Sequence, residues 1–163
     1  MNETRNSPIV SAGKGSSSSA NEFRARVLVV DDECVIADTV AKVLTLSGFA
    51  AIAAYDADGA LQTALHSPPE LLITDVVLPG INGIKLATTI KRIFPECKIL
   101  LFSGQASTMD LLAAAGREGR RFTLLNKPVP PKVLVALVAE HLNTSCMKTN
   151  GAIGTTAGGL VDA

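Results

Sequence analysis

The sequence predicts an α/β fold, a single five-stranded parallel sheet with helices on both faces, and three observations predict it. Short apolar runs alternate with helical patterns five times between about Phe23 and Leu142, the pattern left by successive βαβ units. The runs Val27-Leu28-Val29-Val30 and Ile99-Leu100-Leu101-Phe102 are apolar without interruption, which fits strands covered on both faces, since a strand with one face in water would alternate. Proline and glycine punctuate the connections at Pro68-Pro69, Pro95, Gly116 and Gly119.

The elements follow in order. A strand over Arg26–Val30 leads into a helix that places Ile36, Val40, Val43, Leu44 and Ser47 on one face at three-and-four spacing and stops at Gly48, suited to a left-handed helix end. Strands are then expected at Ala50–Ala54, Leu71–Thr74, Lys98–Phe102 and Phe122–Leu125, with helices at Ala57–His66, Gly83–Ile93, Ala106–Ala115 and Pro131–Leu142. In the last helix Val133, Leu134, Leu137 and Val138 are expected to face the core, leaving Val135, Ala136 and Ala139 as an apolar outer side where a partner would bind.

Outside this span the periodicity stops. Residues 1–22 contain Gly15-Ser16-Ser17-Ser18-Ser19, and residues 144–163 contain Gly151, Gly154, Gly158 and Gly159 among Thr and Ala; both compositions predict flexible tails around one folded domain, 23–143. A chain of 163 residues, 47% hydrophobic, suffices for one core. Formal net charge is zero, and neither a basic block nor a long apolar run is present, so DNA binding and a membrane span are not expected and the cytoplasm is the expected location. Cys34, Cys97 and Cys146 lack metal or disulfide spacing and are read as free thiols, and His66 and His141 as surface residues.

In an open α/β sheet, ligands bind beyond the carboxyl ends of the strands. The first strand ends in Asp31-Asp32-Glu33, the third in Asp75, the fourth in Ser103-Gly104 and the fifth in Asn126-Lys127-Pro128. An Asp-Asp pair alone would be an ordinary helix-capping turn, but three carboxylates gathered at one sheet edge repel one another unless a cation is present. Mg²⁺ prefers oxygen ligands and keeps positions for water and phosphate. Asp75, leading into Val76-Val77-Leu78-Pro79-Gly80-Ile81-Asn82-Gly83, is a candidate nucleophile for a phosphoryl group. Lys127 supplies a point charge and Ser103 a hydroxyl, the neutralising groups that phosphoryl transfer needs.

In order and spacing, these stretches resemble the receiver domains of bacterial two-component response regulators, from about Arg26 to Leu142. The resemblance implies a flavodoxin-like, doubly wound sheet of strand order 2-1-3-4-5 and a signalling domain rather than an enzyme. It implies phosphoryl acceptance on Asp75 from a sensor histidine kinase or histidine phosphotransfer protein. Mg²⁺ would be held by Asp31, Asp32, Asp75 and the backbone carbonyl of Val77, Lys127 and Ser103 would act on the phosphoryl group, and the Lys127–Pro128 peptide would be cis. Leu124 departs from the family, which often has there an aromatic residue that turns inward on activation. A haloacid-dehalogenase-type enzyme would need a second Asp where Val77 stands. A receiver-like module that is never phosphorylated would be expected to lose part of the set, and none is lost. With some twenty residues after Leu142, too few for an output domain, the expected output is a stand-alone domain binding an unidentified protein target, or a second phosphorylated copy, through its own surface.

Overall fold

The computed structural model describes residues 24–104 and 122–146; the helix expected at Ala106–Ala115, the segment 1–22 and the chain from residue 147 lie outside the described residues. Strands β1 (Arg26–Val30), β2 (Ala50–Ala54), β3 (Leu71–Asp75), β4 (Lys98–Ser103) and β5 (Thr123–Asn126) form one parallel sheet in the order β2-β1-β3-β4-β5. The described helices are α1 (Cys34–Leu46), α2 (Ala57–His66), α3 (Gly83–Ile93) and α4 (Pro131–Cys146). Chain direction across the sheet reverses at β1, which opens a crevice between the carboxyl ends of β1 and β3.

The apolar runs divide between two cores because side chains alternate across each strand. Leu28, Val30, Leu72, Ile99 and Leu101 pack with α2 and α3, whereas Val27, Val29, Leu71, Ile73, Leu100 and Phe102 pack with α1 and α4. The helix faces touching the sheet are built largely of alanine: Ala37 and Ala41 with Leu44 in α1, and Ala57, Ala60 and Ala64 in α2. Ile36, Val40 and Val43 are only half-buried beside that stripe, and Ser47 is exposed. The expected face of α1 was therefore rotated, because a small residue lets the helix axis approach the strands and takes the innermost position that larger side chains flank.

Several boundaries also move. β3 and β4 each run one residue further than expected and β5 begins and ends one residue later, because the ladder continues past the apolar residues: the Val76 N–H donates to the Phe102 carbonyl and the Lys127 N–H to the Ser103 carbonyl. Asp75, Ser103 and Asn126 thus close strands rather than open loops. α4 continues to Cys146, since no proline or glycine intervenes before Gly151. Its core contacts come from Leu134, Val138, Val135 and Leu142, while Val133 is 48% exposed; the expected outer patch loses Val135 and the inner face loses Val133. His141 is not a surface residue. It is half-buried, with Nδ1 2.8 Å from the Leu137 carbonyl and Nε2 3.0 Å from the Thr123 hydroxyl, linking α4 to β5. Gly48 has the left-handed φ of 97° expected after α1. Among the described residues no helix is long and apolar enough to cross a membrane.

Candidate functional site

The carboxyl ends of β1, β3 and β5 bring charged side chains together that lie far apart in the chain. Asp31 follows a strand whose last four residues are buried and is itself 2% exposed. Its backbone N–H still reaches the Ala54 carbonyl of β2, and its Oδ1 accepts from the Glu33 N–H at 3.0 Å, so the carboxylate is held at the turn into α1. Asp32 is exposed. Asp75, the last residue of β3, accepts from the Val77 N–H on Oδ1 at 2.8 Å, which fixes its rotamer against the following loop.

Carboxylate oxygens of Asp31, Asp32 and Asp75 lie within 4.8 Å of one another. Lys127 answers part of that charge: its Nζ lies 2.6 Å from Asp31 Oδ2 and 2.5 Å from Asp75 Oδ2. Burial opposes the Lys127 charge, but hydrogen bonds to the two carboxylates outweigh it and hold the ammonium above its ordinary range. Ser103 ends β4 nine-tenths and more buried, and its carbonyl accepts from the Lys127 N–H at 2.7 Å. That bond ties the lysine-bearing turn to the strand beside Asp75. The Lys127–Pro128 peptide is cis, as the resemblance implied.

The donor set is hard oxygen only, without a thiolate or imidazole, and two of its three carboxylates border water. Such a set suits Mg²⁺, which takes one or two carboxylates and retains waters, better than it suits zinc or copper. Val77 follows in the same loop with an exposed side chain, two residues beyond Asp75.

Two residues at this end of the sheet were not singled out from the sequence. Thr74 is fully buried after the three apolar residues that open β3 and donates its hydroxyl to the Asp75 carbonyl at 3.0 Å. Gly83 starts α3 so close to β3 that a Cβ there would lie 1.7 Å from the Asp75 carbonyl oxygen. A hydroxyl directly after a buried apolar run was the available signal for the first.

Residues 27–139 match the response regulator receiver domain model. The chain belongs to that family. Over 120 residues it is 35% identical to the nitrogen assimilation regulatory protein NtrX of Azorhizobium caulinodans, covering 72% of this chain and 26% of that protein. It is 33% identical over 120 residues to the DNA-binding response regulator MtrA of Mycolicibacterium paratuberculosis, covering 74% of this chain and 52% of that one. The chain therefore spans about a quarter to a half of these curated relatives. A crystal structure of a response regulator receiver domain protein from Clostridium thermocellum superposes with a TM-score of 0.68 at 25% identity, covering 77% of this chain and 99% of the other. As a receiver domain of the two-component class, the protein has the strand order 2-1-3-4-5 that the resemblance implied, and the family read from the four strand ends is borne out.

Proposed function

We propose that this receiver domain accepts a phosphoryl group on Asp75, with Mg²⁺ held by Asp31, Asp32, Asp75 and the Val77 carbonyl, from a sensor histidine kinase or a histidine phosphotransfer protein. The observation that carries the reading is the placement of Asp75 at a strand end, its carboxylate shared between a cluster of acids and the Lys127 ammonium. A carboxylate oxygen of Asp75 forms the bond to phosphorus while the P–N bond of a donor phosphohistidine breaks and its electron pair leaves with the imidazole, giving an acyl phosphate. Bound Mg²⁺ supplies charge neutralisation for the phosphoryl oxygens. The chain's own residues do the rest: Lys127 moves from carboxylate to phosphate oxygen as negative charge is added, Ser103 offers a hydroxyl donor, and the Val77 N–H holds Asp75 in place.

Output is read as protein contact through the domain's own surface, to a target or a second phosphorylated copy. A formal net charge of zero supports this over direct DNA contact; the match to the relative named as DNA-binding covers 52% of that protein. Acetyl phosphate with Mg²⁺ should add one phosphoryl group by intact mass, and Asp75→Asn should remain unlabelled. Full labelling of Asp75→Asn would overturn the assignment.

A further inference from the structure

We propose that Thr74 and Gly83 are positioning residues that hold the Asp75 backbone, so that its carboxylate meets the phosphodonor in line; this rests on the phosphoacceptor reading of Asp75. The two consecutive peptide units that follow the acceptor are each held at both their carbonyl and their N–H. The Asp75 carbonyl accepts from the Thr74 hydroxyl at 3.0 Å and has the Gly83 Cα seated against it, where an added Cβ would stand 1.7 Å from the carbonyl oxygen, 2.8 Å from its carbon and 3.0 Å from Thr74 Oγ1. Val76 donates its N–H to Phe102 of β4 at 2.9 Å and accepts at its carbonyl from the Gly83 N–H, also at 2.9 Å. Val77 donates its N–H to Asp75 Oδ1 at 2.8 Å.

Glycine at position 83 answers to space alone, because the positive-φ glycines among the described residues are Gly48 and Gly80. The first residue of α3 is thus pressed directly onto the peptide that carries the acceptor, and the Thr74 hydroxyl fills the wedge between them. A hydroxyl in this strand has an energetic cost that valine would avoid. Leu71, Leu72 and Ile73 before it are all apolar and buried, and a threonine here gains only a bond to its neighbour's carbonyl. What the bond does is stop the Asp75 peptide from rotating, and in-line transfer is sensitive to displacements of about an ångström.

If the contact were packing only, the methyl of Thr74 would matter and the hydroxyl would not. The discriminating series is Thr74→Val, Thr74→Ser and Gly83→Ala in the full chain, beside wild type. Phosphorylation rates would be followed at saturating Mg²⁺ over a range of acetyl phosphate, with thermal midpoints and calorimetric Mg²⁺ affinity measured in parallel. Thr74→Val should lower the limiting rate on the order of tenfold, leaving half-saturation by acetyl phosphate and the thermal midpoint near wild type. Thr74→Ser should restore the rate, and Gly83→Ala should lose most of it. Labelling of Thr74→Val at the wild-type rate, or equal losses in Thr74→Val and Thr74→Ser, would overturn the proposal. An unlabelled wild-type chain would instead remove the phosphoacceptor reading itself, and this proposal with it.

Discussion

At Lys127 an ammonium occupies the side of the carboxylate cluster that a divalent cation would also neutralise. Its 2.6 and 2.5 Å contacts to Asp31 and Asp75 mean that both cations draw on the same two side chains. Lys127→Met should therefore tighten Mg²⁺ binding by roughly tenfold, about 1.4 kcal/mol, while slowing phosphorylation. Calorimetry on the variant checks this, and unchanged or weaker affinity would show that the two cations do not compete. The cysteines differ as sharply. Cys34 is exposed, whereas Cys97 is buried, and burial pushes its thiol from 9.0 up to about 11. A maleimide should label Cys34 in the native protein and reach Cys97 only after unfolding. Because the folded state holds the Cys97 proton more tightly than the unfolded state, its contribution to stability is complete below pH 9 and lost as pH rises toward about 11. Urea midpoints should fall more steeply over that window for wild type than for Cys97→Ala.

Among the elements, α4 and β5 differ most from their sequence pattern. Val135 packs against the core formed with α1, and Leu124 packs, half-buried, against the opposite core with Phe122. Val135→Glu should accordingly destabilise the fold, by about 1–3 kcal/mol from burying part of a charge, rather than act at a surface patch. Leu124→Ala should cost about 1–2 kcal/mol from lost packing. Chemical denaturation of both variants decides the point, and a Val135→Glu midpoint equal to wild type would return that side chain to the surface. The His141 contact to the Thr123 hydroxyl joins the same two elements, while its other ring nitrogen is held by the Leu137 carbonyl one turn back in α4.

At the scale of the whole molecule, the described residues supply five strands and two apolar cores from segments 24–104 and 122–142. A fragment from Asn21 to Cys146 should fold with a midpoint close to that of the full chain, because it retains both clusters. Loss of cooperative unfolding in circular dichroism would show that a terminal segment contributes to the core. The two layers also explain why the acidic cluster can exist. Parallel strands covered on both faces end together at one rim, and polar side chains placed just past those ends reach water on one side and a rigid sheet on the other.

The order and type of the elements, the five-stranded parallel sheet and the identity of Asp31, Asp32, Asp75, Ser103 and Lys127 as strand-end residues could be read from the sequence. Buried parallel strands are written as unbroken apolar runs, and the polar residue that ends each run marks the rim. The alanine faces of α1 and α2 could not be read, since hydrophobic periodicity weights large side chains and close approach favours small ones. Nor could the half-burial of His141, the inward turn of Val135 or the clamp of Thr74 and Gly83 on Asp75. Lys127 stands 96 residues from Asp31 yet its ammonium lies 2.6 Å from that carboxylate. Such distances between segments are set by how the layers pack, and local pattern holds no information about them until the chain has closed on itself.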